Sequence, residues 1–344
     1  MSPSIRNAII GDGLVGASLL HALLKFSHLD VHIFVSAPTF KEAAARCLDR
    51  AGAVPMRGVR FMLPQGEGAG SMADEVDDIV QEKRLTSIVH RAALLQELLG
   101  EIPPDRMHVS KKLQRIDQTG PITLYFVDGT THECDILVGV DGIHSTARKV
   151  ILGEKDPASS PRNNGPAQES LGKQLVDIND ARKYGWAGQN AFLLHNILSS
   201  GKLVQFAIAS NDKDTELELA NKLLCSQREH KTVSGPICIT GDAAHSTTPW
   251  QGSGAGMSIE DSLILSTLLG HAESHVEAIA ALKIYDHVRR PRTQLIVESS
   301  RIMGTILTGN NEDMGLDPKK LKSLTSRWDF IQASGFYSSL ICSN

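Results

Sequence analysis

The hydrophobic and polar positions at the start of the chain follow a strand–helix–strand pattern. Residues 7–10 form a short apolar run, which predicts a buried strand. Residues 15–26 carry leucines at helical spacing, and residues 31–35 form a second apolar run. The chain therefore opens with a β-turn-α-β unit, which favours an α/β fold built on a parallel sheet.

The same order of elements returns far along the chain. An apolar run that begins at Ile237 stops at Gly241 and Asp242, a loop with spaced glycines follows, and a helix is expected to start near Met257. The turn at 128–129 predicts a hairpin. Additional strands are expected at 59–63, 122–127, 133–138, 191–196 and 202–209, and additional helices at 43–51, 87–99, 215–225, 278–289 and 293–307.

Composition and charge limit the possible partners. The 344 residues are 41% hydrophobic with a net charge of −4, so neither nucleic acid nor a membrane surface is expected as a partner. The five cysteines lack a C-x-x-C pair, which argues against disulfides or zinc and suits a cytoplasmic location. No signal peptide or membrane-spanning segment is expected. His271 and His275 have metal-ligand spacing but no third ligand nearby, so no metal site is predicted.

Three glycines in the first turn fit the pattern G-x-G-x-x-G. Gly11 permits a tight turn, Gly13 lets a diphosphate approach the backbone, and Gly16 lets the helix pack on the strand. The free N–H groups and the positive helix end attract a diphosphate. This corner predicts a bound dinucleotide, although Val35 stands where an acidic residue for the ribose hydroxyls is expected. The alternative is a glycine turn in an unrelated α/β protein.

The second corner suits the other half of a long dinucleotide. Asp242 at the end of a strand can bind a polyol hydroxyl, and the loop from Pro249 through Gly254 can lie close to a flat ring because glycines remove side-chain bulk. The following helix directs its positive end at that ring, which would stabilise a reduced flavin. FAD is long enough to need both corners. The alternative is that Asp242 only caps the next turn.

Four stretches together resemble the FAD-dependent aromatic hydroxylases, the group A flavoprotein monooxygenases of the para-hydroxybenzoate hydroxylase class. The resemblance is closest to the salicylate hydroxylase-like branch. The stretches are 11–16, VHRAALLQELL at 89–99, CDILVGVDGIHSTARKVILG at 134–153 and ITGDAAHSTTPWQGSGAGMSIEDS at 239–262.

The resemblance implies roles for individual residues. Arg91 would contact the FAD diphosphate or ribose, and Asp141 would serve both FAD and NAD(P)H. Asp242 would bind the ribitol, and Ala255 would place a backbone amide near the flavin. Considered alone, Arg91 could equally be a solvated arginine, and Asp141 could belong to a simple turn. For His245 a structural role is favoured over that of a general base, and no catalytic residue is assigned.

The chain also departs from that family. The glycine-containing stretch after the second strand is replaced by 43–46, and no arginine-bearing substrate strand is found between 153 and 174. Asn196 stands where some members have tyrosine, and the residues after 328 do not continue the family pattern. The chain is therefore expected to be shortened.

These observations predict a Rossmann-like FAD-binding parallel sheet with an inserted strand-rich substrate layer and C-terminal helices. The expected parts are an FAD-binding domain from 1–58, 85–155 and 235–277, a substrate layer from 59–84 and 156–234, C-terminal helices at 278–330 and an irregular tail at 331–344.

The predicted function is FAD-dependent hydroxylation of a phenolic or polyketide-derived aromatic molecule with NAD(P)H and O2, as in secondary metabolism. A homodimer is left open. The main alternative is a degenerate or truncated flavoprotein fold with little or no hydroxylase activity. A different flavin reaction on the same fold, or a plain NAD-dependent dehydrogenase, are further alternatives, and the latter leaves the Asp242 corner unexplained.

Overall fold

The computed structural model describes residues 4–37, 51–66, 68–77, 86–89, 91–100, 102–152, 182–198, 203–210 and 232–332. The helix predicted at 215–225 lies outside these residues, as does the helix predicted at 43–51 apart from its last residue. Within them the strands are β1 (Ile5–Ile10), β2 (Leu29–Phe34), β3 (Val54–Met56), β4 (Gly58–Met62), β5 (Met72–Asp77), β6 (Thr86–Ile88), β7 (Met107–His108), β8 (Leu113–Asp117), β9 (Ile122–Phe126), β10 (Thr131–Cys134), β11 (Ile136–Gly139), β12 (Arg182–Gly188), β13 (Ala191–Leu198), β14 (Leu203–Ser210), β15 (Val233–Ser234) and β16 (Ile237–Ile239).

The helices range from one turn to nine turns in length. They are α1 (Leu14–Leu23), α2 (Arg91–Leu99), α3 (Thr146–Leu152), α4 (Asp242–His245), α5 (Gly254–Gly270), α6 (His275–Leu307), α7 (Pro318–Leu321) and α8 (Asp329–Gln332). Short 3-10 turns occur at Pro104–Arg106, Pro249–Gln251 and Thr325–Trp328. Among the described residues, no helix combines the length and apolar character needed to cross a membrane.

The first of two compact units contains the described residues within 1–45, 95–161 and 219–298. Its six-stranded sheet has the order β15-β16-β11-β1-β2-β7. Strands β16, β11, β1, β2 and β7 are parallel, and β15 pairs antiparallel with β16. The carboxyl ends of the parallel strands therefore meet at one edge of the sheet, which is where α/β proteins bind ligands.

An apolar layer packs between this sheet and two helices. Leu19, Leu20 and Leu23 of α1 are fully buried together with strand residues such as Ile33, and Leu265 of α5 joins the same cluster. The leucine spacing in the sequence explains this packing, because helical residues three and four apart share one face. On the opposite face, the antiparallel sheet β10-β9-β8 contributes a second apolar cluster around Leu124 and Phe126.

The second unit contains the described residues within 46–94, 162–218 and 299–344. Its main sheet has the order β14-β13-β12-β4-β5, with β12 and β4 parallel and the other pairs antiparallel. Cross-strand neighbours Arg60, Tyr184, His195 and Phe206 form one row, in which the rings of Tyr184 and His195 stack 5.0 Å apart. Strands β3 and β6 form a separate pair.

The predicted α/β fold with a parallel sheet and C-terminal helices is confirmed, but one predicted strand is wrong. The segment 133–138 is not a single hairpin strand, because it is divided at Asp135 between β10 of the antiparallel sheet and β11 of the parallel one. The Asp135 carboxylate accepts a hydrogen bond of 2.9 Å from the backbone N of Arg6. It also forms an ion pair of 2.7 Å with the guanidinium of Arg6. These bonds fix the point where the chain changes sheets.

The predicted break between two C-terminal helices is also wrong. Helix α6 runs from His275 to Leu307 with Pro291 in its interior. An interior proline costs about 3 kcal/mol because it removes one backbone bond and crowds the preceding turn. Arg289 and Arg292, on either side of it, both pair with Glu260 of α5. Tertiary contacts therefore hold the helix continuous across the proline.

Candidate functional site

Three chain corners lie side by side at the carboxyl edge of the parallel sheet. Ile10 at the end of β1 pairs with Gly139 of β11, and Gly139 pairs with Ile239 of β16. The bends that follow these strands carry Gly11, Asp141 and Asp242. Since neighbouring strands are about 4.8 Å apart, the ends of the outer two strands are separated by about 10 Å. A single extended ligand can span that distance.

The first corner is shaped by glycine backbone. Gly11 has φ of +116°, and a Cβ there would lie 2.6 Å from the carbonyl oxygen of Val140. A Cβ on Gly16 would collide with the carbonyl oxygen of Gly11. Gly13 is the N-cap of α1 and supplies no side-chain cap, so the first N–H groups of this helix have no capping side chain. The corner can therefore receive an anionic group at close range.

The second corner rests directly on the first helix. Gly241 has φ of +59°, and a Cβ there would lie 2.5 Å from Cγ2 of Val15. Asp242 follows as the exposed first residue of α4, and no described residue donates a hydrogen bond to its carboxylate. The sequence alternative in which this carboxylate caps the next turn has no support here, because the N-cap is Gly241 and no side chain caps the helix.

The middle corner, at Asp141, is stabilised by hydrogen bonds to residues that follow it in the chain. The Asp141 carboxylate accepts bonds from the hydroxyl of Ser145 and from the backbone N of Thr146 at 2.7 Å, so it caps α3. Arg148 of that helix donates to the carbonyl oxygens of Ile143 and Ala243, the latter at 3.0 Å. The Arg148 guanidinium thereby connects the middle corner to the second corner.

The loop after the second corner ends at an uncapped helix. Pro249 begins a 3-10 turn, and Gly252 closes it with φ of +63°. Helix α5 starts at Gly254, three residues before the predicted start, and its N-cap residue Ser253 makes no side-chain cap. Ala255 in the first turn is exposed. The positive end of this 17-residue helix is therefore open to an anionic or electron-rich group.

The chain is similar to proteins of known function. The family described as "FAD binding domain" matches residues 204–300. A relative from Aspergillus terreus, the 6-methylsalicylate 1-monooxygenase atA, is 31% identical over 87% of this chain and 82% of its own length. The chain belongs to the FAD-dependent aromatic hydroxylases of the salicylate hydroxylase type. It is therefore an FAD-dependent monooxygenase.

Other members support the assignment of this hydroxylase. A salicylate hydroxylase from Pseudomonas putida is 25% identical over 96% of this chain and 92% of its own. A solved salicylate hydroxylase in complex with substrate has a TM-score of 0.74 and covers 96% of both chains at 22% identity. At that identity the solved structure supports the shared fold.

The described residues of this hydroxylase fit FAD in three respects. At the first corner a Cβ on Gly11 or Gly16 would collide with neighbouring backbone, so only glycine permits this tight approach of α1 to the strand end. The second corner presents an exposed carboxylate with no hydrogen-bond donor among the described residues. Two helices, α1 and α5, have N-termini without side-chain caps. Together they offer a diphosphate site, a hydroxyl acceptor and a positive helix end.

The expected acidic residue for the ribose is absent at the end of β2, and the fold shows what stands there. Val35 is fully buried in the apolar cluster of the first unit, so the end of β2 offers no carboxylate to a ribose. Asp30 pairs with Arg106 and lies 3.3 Å from the ring of His32. Arg91 is the exposed first residue of α2, and its predicted contact with FAD stays a prediction.

The sequence did not reveal one group of residues behind the second corner of this hydroxylase. Asp261 and Glu260 of α5 are buried and paired with Arg289. The available signal was two adjacent acidic residues inside a mostly apolar predicted helix. His245 is buried with its Nε2 2.5 Å from Asp261, and its Nδ1 has no described partner.

His271 and His275, the two histidines at metal-ligand spacing in the sequence, each contact a backbone carbonyl oxygen.

Proposed function

We propose that this chain hydroxylates a small phenolic compound, using FAD bound along the three corners together with NAD(P)H and O2. The observation that carries the proposal is the side-by-side position of the Gly11, Asp141 and Asp242 corners at one sheet edge. The diphosphate and the ribitol of one dinucleotide need different binding groups, so these groups must lie at the same edge of the sheet. When bound, FAD would supply electron transfer from the nicotinamide and activation of O2.

Each corner has a separate task in this proposal. Gly11, Gly13 and Gly16 let the diphosphate approach the backbone N–H groups that begin α1. Asp242 accepts hydrogen bonds from the ribitol hydroxyls, since its carboxylate is exposed. Asp141 keeps the middle bend closed by capping α3. Its predicted roles toward both FAD and NAD(P)H are part of the proposal.

The loop and helix after the second corner would meet the flavin ring. Pro249 and Gly254 frame this loop, and Ala255 places a backbone N–H in the first turn of α5. Fixed N–H groups aimed at a site where negative charge develops need no reorganisation during reaction. The described residues supply no nucleophile to this scheme, and their role is to bind, orient and exclude water.

The phenolic substrate class is inferred from the relatives. One of them is named a 6-methylsalicylate 1-monooxygenase and three are named salicylate hydroxylases. Steady O2 uptake that depends on NADH or NADPH, with a hydroxylated product from a panel containing salicylate and 6-methylsalicylate, is the expected result. Purified protein that contains no flavin and consumes no O2 with any phenol would refute the proposal.

A flavoprotein with little hydroxylase activity is the second candidate. The alignment with the Aspergillus terreus relative favours this candidate. That alignment is 373 positions long but contains only 87% of the 344 residues of this chain. The relative therefore carries segments that this chain lacks. Protein that turns yellow with FAD and oxidises NAD(P)H but releases only hydrogen peroxide would support this candidate. A protein that stays colourless with added FAD would refute hydroxylation and favour a degenerate flavoprotein fold without activity.

A further inference from the structure

A single buried carboxylate lies behind the second corner. Asp261 is fully buried, and its Oδ2 accepts hydrogen bonds from Thr240 Oγ1 at 2.8 Å, Gly241 N at 3.1 Å and His245 Nε2 at 2.5 Å. Its Oδ1 accepts a bond of 2.7 Å from Arg289 Nε. A carboxylate has about four acceptor positions, two on each oxygen. Oδ2 is therefore fully occupied by the bend, and Oδ1 is bound by Arg289. Three of the four donors belong to the bend that carries Asp242.

The charge of this carboxylate is balanced locally. Arg289 also donates to Glu260 at 2.6 Å, and Arg292 donates to Glu260 at 2.8 and 2.7 Å. Burial disfavours the charged form of Asp261, but its contacts with His245 and Arg289 outweigh this and lower its pKa. The carboxylates of Glu260 and Asp261 and the guanidinium groups of Arg289 and Arg292 therefore form a charge-balanced cluster. Thr240 and His245 of the bend contact this cluster through Asp261.

Such a cluster is a poor source of stability. Buried ion pairs lose most of their attraction to the cost of removing the charges from water, and apolar replacements are often as stable. The geometric effect is different, because every donor is fixed by a short directional bond. Gly241 has φ of +59° and ψ of −144°, a conformation open almost only to glycine, and its N–H points to Asp261. The cluster thus determines where the residue after Gly241 is placed.

We propose that His245 and Asp261 are positioning residues that hold the Asp242 bend in the orientation that binds the flavin ribitol. The inference rests on the proposed function for the site itself. His245 acts through the hydrogen bond from Nε2 to Asp261, and Asp261 acts through the bonds to Thr240 and Gly241. Tyr285 supports the same bend from α6, because its hydroxyl donates to Thr240 Oγ1 at 2.8 Å.

The test compares two substitutions at one position. In His245→Gln the side-chain amide can reach the place of Nε2 and donate to Asp261, whereas His245→Ala removes the donor. Asp261→Asn and Ser266→Ala complete the set. Ser266 is buried on the same helix, and among the described residues its hydroxyl bonds only to Leu263 O of that helix, so its substitution controls for general disturbance of α5.

Two measurements are made on each purified variant. Hydrogen exchange of the apoprotein is followed in the peptide covering 237–248, and the Kd for FAD is measured by fluorescence together with the visible circular dichroism of the bound flavin. We expect His245→Ala and Asp261→Asn to exchange at least tenfold faster in this peptide. We also expect them to bind FAD at least tenfold more weakly, with an altered dichroism spectrum. His245→Gln should stay within about threefold of wild type in both measurements, as should Ser266→Ala.

The outcomes separate this inference from the proposed function. Wild-type exchange and FAD affinity in His245→Ala would overturn the positioning role. A His245→Gln variant as weak as His245→Ala would also overturn it, because the bond to Asp261 would then not be what matters. A wild-type protein that takes up no FAD would refute the proposed function and the flavin part of this inference together. The exchange data would still decide whether the cluster holds the bend.

Discussion

The two outer corners of the site lie on one sheet edge but are stabilised in different ways. The first, from Gly11 to Gly16, is formed by backbone alone and has no side-chain cap. The second, around Gly241 and Asp242, has a buried carboxylate behind it that bonds Thr240, Gly241 and His245. One corner depends on the absence of side chains, and the other depends on side chains brought from distant parts of the sequence.

The difference follows from what each corner has to present. A diphosphate can be bound by backbone N–H groups, so the first corner needs only close approach. A ribitol hydroxyl needs a side-chain acceptor in a defined direction, and an exposed aspartate on a short helix is free to move unless its backbone is fixed. The second corner therefore requires a supporting layer, which Asp261 and Arg289 provide.

The largest expected effect comes from filling the first corner. Gly16→Ala places a Cβ against the carbonyl oxygen of Gly11, and neither backbone segment can yield easily. We expect FAD affinity to fall more than 100-fold and the apoprotein to lose about 1–3 kcal/mol of unfolding free energy, as overpacked sites do. Equilibrium urea unfolding and flavin fluorescence measure the two effects. Gly120→Ala is the matched control, because nothing lies within 4 Å of a Cβ there.

Removing the carboxylate of the second corner should have a smaller and more selective effect. Asp242 is exposed and has no described hydrogen-bond donor, so Asp242→Asn should leave unfolding by urea unchanged. Loss of charge-assisted hydrogen bonds should weaken FAD binding by roughly 1.5–3 kcal/mol, about 10- to 100-fold. Glu312→Gln, at another exposed acidic position, is the control. If Asp242→Asn binds FAD as wild type does, the second corner does not contact the ribitol.

The same contrast explains which parts of the structure could be predicted from the sequence. The glycine corners were predicted because the conformational freedom of glycine is a local property that a short motif records. The cluster around Asp261 was not, because Thr240 after β16 and Arg289 of α6 meet only when both elements pack against α5. The helix break predicted near Pro291 was wrong for the same reason. Sequence rules predict that a helix ends at a proline, but the ion pairs of Arg289 and Arg292 with Glu260 stabilise α6 across it.

Acid titration should distinguish the second corner from the rest of its unit. Burial, with neighbouring His32 and His108, lowers the pKa of His132 from 6.5 to about 4, and burial also lowers the pKa of His108. A group whose pKa is lower in the folded than in the unfolded protein makes its full contribution to stability only above its unfolded pKa. About 1–2 kcal/mol, discounted for solvent screening, should therefore be lost as the pH falls from 6.5 to 4. His132→Asn should flatten this slope in urea unfolding.

The second corner should respond only at lower pH. Despite burial, the pKa of Glu260 is lowered from 4.5 by Arg292 and Arg289, and that of Asp261 is lowered from 3.8 by His245 and Arg289. Their stabilisation is complete above about 4.5 and is lost as the pH falls through the folded values. Hydrogen exchange of the 237–248 peptide between pH 6 and 5, corrected for intrinsic rates, should therefore stay protected. Early loss of protection there would mean that the cluster is not what holds the bend.

The smallest predicted effect concerns the contact that joins the two corners. Ser262 Oγ of α5 donates to Val15 O at 3.2 Å and lies 2.8 Å from Ser18 Oγ, so it links the helices that begin at each corner. Ser262→Ala should cost about 1 kcal/mol of unfolding free energy. We expect FAD affinity to change by less than threefold, because each corner has its own support. Thr267→Ala, which removes an exposed hydroxyl bonded within the same helix, is the control. A tenfold loss of FAD affinity in Ser262→Ala alone would show that the corners act as one unit and that their supports are not independent.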